Sequence, residues 1–128
     1  MLTLSLLMLF SCQESKEERL ERETREYTQK NCPEKIDEYV TLDSLVYHND
    51  GSGNYYYYYS VEADSEAVAM LAQHKPELRK EHLGRIRNSV DMKHIKQMGL
   101  SINILYHDHA AHRLILDFLF TPSEYDIN

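Results

Sequence analysis

The sequence predicts an α+β domain: a β-β-α-β-β antiparallel sheet with helices packed on one face, preceded by a signal segment and a charged tether. Three observations lead there. Residues 36–48 and 55–62 alternate in the β manner on either side of a turn-forming stretch, 49–54. Apolar residues at helical spacing run from Ser65 to Val90. Two further alternating stretches, 100–107 and 113–121, complete the pattern. The expected organisation is residues 1–11 as a signal segment, 12–31 as a charged tether, and 32–128 as the α+β domain.

The chain of 128 residues suffices for one domain, and 42% hydrophobic with 27% charged residues fits a globular core. Its first ten residues, MLTLSLLMLF, are uncharged and apolar, and Ser11-Cys12 follows directly. Such a run is about half the length that a bilayer-crossing helix needs, and it has the length of a signal-peptide hydrophobic region. Leu9-Phe10-Ser11-Cys12 resembles the lipobox of bacterial lipoproteins. The resemblance implies removal of the preceding peptide, diacylation of the Cys12 thiol with palmitate-type chains, and membrane attachment. No Lys or Arg precedes the run, a departure from the usual basic start. A buried N-terminal strand or helix is the competing reading, and it leaves the abrupt polar switch after Cys12 unexplained.

Residues 13–30, QESKEERLERETREYTQK, are polar almost throughout, with Glu18/Arg22 and Glu21/Arg25 four apart. Such pairs support an exposed helix by about 0.2–0.5 kcal/mol each. Only Leu20 and Tyr27 are large and apolar, so the stretch reads as a tether between lipid and domain. Ser15-Lys16-Glu17-Glu18 is similar to the acid-rich signal that directs Bacteroidota lipoproteins to the outer cell surface. The expected location is therefore the bacterial cell envelope, lipid-anchored at the outer membrane, with surface exposure as a further step.

In the first hairpin, a two-residue Gly51-Ser52 turn of type II′ sets Val46 opposite Tyr57 and Leu42 opposite Val61. One face then carries Val40, Leu42, Val46, Tyr55, Tyr57, Tyr59 and Val61, and the other carries Leu45, Tyr47, Tyr56 and Tyr58. Asp64 is placed to cap the first helix, Pro76 to interrupt it, and Asp91 and Gly99 to bound a short last helix. In the second hairpin Tyr106 sits opposite Leu114 and His107 opposite Arg113, around a loop centred on Ala110, and Pro122 closes the strand.

From its lipobox onward the chain resembles small uncharacterised lipoproteins of Bacteroides-like bacteria. The resemblance is carried by Cys32-Pro33, Leu42-Asp43-Ser44-Leu45-Val46-Tyr47, the Tyr run, Ile86-Arg87-Asn88 and Thr121-Pro122-Ser123-Glu124-Tyr125. It implies no activity.

The run Tyr55 to Tyr59 is the most unusual feature. One face meets the helices. The other, holding Tyr47, Tyr56 and Tyr58 with Leu45, Leu105, Ile115 and Leu119, is too apolar for open water. Either the N-terminal segment folds over it or a partner does, and a protein or a glycan is the ligand such a face would take. His107, His109 and His112 form a second candidate, since zinc favours such ligands; a solvated hairpin tip is the plainer reading. Cys32 lies beside Lys30 and Lys35, a setting for a slightly activated thiol, yet no catalytic partner is identifiable.

Residues 75–96 hold seven basic residues against three acidic, while the whole chain carries −7. That helix is either a solvated face or a contact for anionic headgroups, and overall acidity argues against nucleic acid. Gly51-Ser52-Gly53 lacks nucleophile-elbow spacing, and no phosphate loop, dinucleotide fingerprint or His-Glu metalloprotease motif occurs. No catalytic set and no cofactor is expected. The leading function is a non-enzymatic binding module; the alternatives are an inhibitor or immunity-type lipoprotein acting on a basic enzyme, and a metal-binding protein using the hairpin-tip histidines.

Overall fold

The computed structural model describes residues 13–126; the signal segment and Cys12 lie outside the described residues. Helix α1 (Lys16–Asn31) leads into the short strand β1 (Glu34–Lys35), then β2 (Val40–Tyr47) and β3 (Asn54–Val61). Helices α2 (Ser65–Gln73), α3 (Lys75–Asn88) and α4 (Lys93–Gln97) follow. Strands β4 (Ser101–Asp108) and β5 (Leu114–Phe120) and a last turn of helix, α5 (Pro122–Tyr125), complete the fold. The sheet has five strands in sequential order, β1 to β5. This is the expected α+β class with one correction. β3 and β4 pair in parallel, so the sheet is mixed. Three helices connect those two strands, and a connection of that length returns the chain to the sheet end where β3 began.

The helices form where the local chemistry places them. The Asp64 carboxylate accepts the Ala67 N–H at 2.8 Å and caps α2, and Pro76 falls in the first turn of α3, where its missing N–H costs nothing. Asp91 does not cap α4. That turn is entered through Met92, whose N–H is taken by the Ser89 hydroxyl at 3.2 Å, and Gly99 leaves it at φ 67°.

Both hairpins depart from the expected register for two reasons: each contains an extra residue, and each turn sets a pairing one residue away from the expected one. On β2 the pairing runs Leu42 to Tyr59, then Ser44 to Tyr58, which leaves Asp43 as a bulge. Beyond it Val46 faces Tyr56 and Tyr47 faces Tyr55. The turn is also longer than two residues, with Gly51 at φ 81° and Gly53 at φ 71°. On the second hairpin Tyr106 faces Leu116 and His107 faces Leu114, with Ile115 as the extra residue. Asp108 organises that turn, its carboxylate accepting the Ala110 and Ala111 N–H groups.

The core lies between the sheet and the helices. Ile102, Ile104, Leu116, Phe118 and Phe120 from the sheet meet Ile86 and Ile95 from the helices, each at most 5% exposed. Tyr47 and Tyr55 belong to the same core, at 6% and 4%. The stretch expected to be a tether is instead part of the fold. α1 docks along β2 on the helical side of the sheet, with Leu20 against the core and Thr24 buried. The Thr24 hydroxyl meets the Tyr55 hydroxyl at 3.2 Å. Its ion pairs also differ from those expected: Arg22 binds Glu14 and Glu26, and Glu21 turns inward to accept the Asn49 N–H at 2.7 Å.

Candidate functional site

Because side chains alternate along a strand, the register assigns each tyrosine to a face. Tyr55, Tyr57 and Tyr59 point to the helices. Tyr56 and Tyr58 point away, with Ser44 and Val46 on β2, Asn103 and Leu105 on β4, and Asp117 and Leu119 on β5 as same-face neighbours. No helix among the described residues packs on this second face. Its members are half-buried by one another, and Leu119 and Leu114 each remain 49% exposed.

The rings of Tyr56 and Tyr58 stack with centroids 5.9 Å apart and planes within 14°, and the Tyr58 ring lies 6.3 Å from that of His107. Burial among these neighbours raises the Tyr58 phenol above its ordinary value. The polar groups on this side are mostly satisfied within the chain. The Asn103 amide donates to Asn54 Oδ1 at 3.1 Å and to the Tyr55 carbonyl at 3.3 Å, and the Ser60 hydroxyl donates to Asp43 at 3.0 Å. What is left facing outward is aromatic and aliphatic surface with phenol hydroxyls on it, bordered on β5 by the exposed Asp117 carboxylate, which pairs with Lys75 at 3.6 Å. The aromatic part of such a surface binds by ring contact and displaced water.

Of the three tyrosines expected here, Tyr56 and Tyr58 are in place and Tyr47 is not. The Asp43 bulge turns Leu45 and Tyr47 to the helical side, where Tyr47 stacks on Tyr55 with centroids 6.2 Å apart. Of the N-terminal segment, one of the two expected covers for this face, the described part lies on the other side of the sheet as α1.

The opposite face holds a chain of aromatic rings from Tyr47 through Tyr55, Tyr57, Tyr59 and Tyr106 to His82, Phe118 and Phe120, each ring 5.1–6.5 Å from the next. His82 is 7% exposed, and its Nε2 lies 2.7 Å from the Tyr106 hydroxyl. Burial, helped by nearby Arg85, lowers the imidazole to about 4, so it is neutral at pH 7. Burial also raises Tyr57 and Tyr106 far above the usual phenol range. These groups are packed against the core, and His82 and Tyr106 are paired with each other.

The other sequence candidates are dispersed. His107 sits on the sheet face beside Tyr58, while His109 and His112 lie exposed in the turn, His112 at φ 54°. Among the described residues no three ligating side chains converge as a metal site. The Cys32 thiol is half-buried and raised above its ordinary value by burial and by Glu34 and Asp43, opposite to the shift that activates a thiol. The basic stretch is largely engaged inside the molecule. Lys75 pairs with Asp117 at 3.6 Å, Arg79 reaches Glu124 and the Leu119 carbonyl, and Arg87 donates to the Glu124 carbonyl. Lys96 donates to the carbonyls of Ile86, Arg87 and Ser89 and so closes the end of α3. Lys80, Arg85 and Lys93 stay exposed on the surface, Arg85 beside Glu81 at 3.9 Å.

Two clefts flank α1. One, against α4, is lined by Lys16, Arg19, Leu20, His94 and Met98; the other, against the β2 edge, by Thr24, Arg25, Ser44, Val46 and His48. Neither gathers buried, unpartnered polar groups, and the described residues contain no buried side-chain nitrogen or oxygen without a partner.

The fold recurs in solved structures. A protein of Pseudomonas aeruginosa described as secreted superposes with a TM-score of 0.69 at 9% identity, covering 89% of this chain and 99% of that one. The pilotin EpsS from the type 2 secretion system of Vibrio vulnificus superposes with a TM-score of 0.61 at 15% identity, covering 88% and 97%. At these identities the likeness is one of fold. No curated protein matches the sequence. Residues 15–116, from the cap of α1 into β5, match the Domain of unknown function (DUF8479), and the chain belongs to that family.

Proposed function

We propose that this protein is a lipid-anchored protein of the bacterial envelope, held through Cys12, that binds a partner through the uncovered Tyr56–Tyr58 face and performs no catalysis. One observation carries the reading: among the described residues every helix that packs on the sheet does so on the same side, leaving stacked aromatic rings and half-exposed leucines on the other. The apolar neighbours Val46, Leu105 and Leu119 favour a protein segment over a glycan. A fold shared with a secreted protein and with a pilotin of a secretion system supports the envelope location. The lipobox-like Leu9-Phe10-Ser11-Cys12 supports the anchor, and Ser15-Lys16-Glu17-Glu18 an outer-membrane, surface-directed destination.

The test places a photo-crosslinking amino acid at position 56 of the full chain in its own bacterium. A discrete adduct is expected, weakened by Tyr58→Ala and unaffected by high salt during capture. An adduct that disappears with salt belongs to the acidic surface, as an inhibitor of a basic enzyme requires, and ends the sheet-face reading. No adduct at position 56 ends it as well. Anchoring is checked separately: palmitate labelling and membrane fractionation are expected to vanish together in Cys12→Ala.

A further inference from the structure

We infer that the domain stands directly on the lipid surface, strands upright, with the β2–β3 turn and the first turns of α1 facing the headgroups. The inference rests on the anchoring of Cys12 proposed above. It begins with how little free chain separates Cys12 from folded structure. The Ser15 hydroxyl accepts the Glu18 N–H at 3.1 Å and caps α1. Glu14 already folds back along the helix, its two oxygens on the Arg22 guanidinium at 2.8 and 3.1 Å. Gln13 alone lies between Cys12 and this clasp. Two extended residues reach about 7 Å, whereas a free tether of the length read from sequence would reach about 60 Å.

The course of α1 sets the direction. Near its start Glu21 accepts the Asn49 N–H beside the β2–β3 turn, and near its end the Thr28 hydroxyl meets the Leu45 backbone. The helix therefore runs antiparallel to β2 and shares the axis of the strands. The end of the molecule that holds the start of α1 also holds the β2–β3 turn and α4, since Lys16, Arg19 and Leu20 line one cleft with His94 and Met98. The start of β4 belongs there too, where the Ser101 N–H donates to the Gly53 carbonyl at 2.8 Å. The β4–β5 turn with His109 and His112 lies at the far end, one strand length away. A strand of this size spans about 26 Å.

The near end mixes Glu14, Glu17, Glu18 and Asp50 with Lys16 and Arg19, so no basic excess draws it to the bilayer. Its contact with headgroups is imposed by the short lipid leash. In that posture the Tyr56–Tyr58 face stands perpendicular to the membrane and is presented sideways to a partner within about 30 Å of the surface.

The test uses the full, lipidated protein with Cys32→Ser and a fluorophore on Ser52→Cys or Ala111→Cys, in phosphatidylcholine vesicles carrying a headgroup-level quencher. Flotation with the vesicles reads anchoring, and quenching reads posture. The label at position 52 is expected to be quenched several-fold more than that at 111. A Gly-Ser insert of about 20 residues between Gln13 and Glu14 is expected to remove the difference. Equal quenching without the insert, in protein that floats, overturns the posture and leaves anchoring intact. Protein that does not float overturns the anchoring, and the posture falls with it.

Discussion

His82 shows what burial does to a titratable side chain packed in the core. Its imidazole lies among Tyr106, Phe118 and the α3 helix, with one hydrogen bond to the Tyr106 hydroxyl at 2.7 Å. A group whose folded value is lowered, here to about 4 from an ordinary 6.5, binds a proton in the unfolded chain before it does so in the folded one. The stability it confers is therefore complete above pH 6.5 and is lost as the pH falls toward 4. The full loss is on the order of 3 kcal/mol. Denaturant midpoints for the wild type are expected to fall across that window, and His82→Gln is expected to flatten the fall while lowering the plateau at pH 7. A variant with the same dependence as the wild type would move the acid sensitivity to the carboxylates.

At the scale of elements, the alternation within the tyrosine run is the feature the sequence showed best. Odd and even positions part to opposite faces as period-two patterning requires, and the last three expected strands, the α2 cap and the Pro76 break lie where their residues place them. The first strand, by contrast, starts only at Val40, after a turn at 36–39 that follows the unexpected β1. What patterning could not show is a single inserted residue. Asp43 breaks no rule of composition, yet its bulge, together with a turn longer than the Gly51-Ser52 pair, puts Leu45 and Tyr47 on the helical side, away from the face expected for Tyr47. α1 was hidden for a related reason. Its inward contacts are small and polar, Thr24 and Thr28, so its apolar stripe reads as too thin to dock. The Thr28 hydroxyl both donates to the Leu45 carbonyl at 2.9 Å and accepts the Leu45 N–H at 3.0 Å, standing in for a neighbouring strand where β1 has ended. Thr28→Val keeps the shape and removes both bonds, and is expected to lower unfolding stability by about 1–3 kcal/mol. Amide exchange along α1 should quicken with it. A free tether would leave both unchanged. The tyrosines offer a parallel contrast: Tyr55→Ala is expected to cost about 3–5 kcal/mol and Tyr56→Ala under about 1 kcal/mol, as denaturant titrations of the two would read.

For the molecule as a whole, an open sheet raises the question of what stops its edges from pairing with other chains. The two edges are protected by different means. On one side α1 lies beyond the short β1 and occupies the β2 backbone at Leu45 through Thr28. On the other, β5 is a seven-residue outer strand with the exposed Leu114 and Leu119, the kind of edge that templates association. Asp117 sits at its centre, paired with Lys75 at 3.6 Å, and Arg79 holds the Leu119 carbonyl at 2.9 Å. The outward backbone is thus partly taken, and antiparallel self-pairing about the strand centre would set Asp117 against its own copy. Asp117→Val with Arg79→Ala removes the charge and frees the carbonyl, and the double variant is expected to form oligomers on size-exclusion chromatography at concentrations where the parent protein does not. Asp117 also borders the Tyr56–Tyr58 face beside Leu105, so the double variant is read with and without Tyr56→Ala. An oligomer that Tyr56→Ala dissolves comes from the face, widened by the new valine, and one that persists comes from the edge, which assigns the association to one surface or the other.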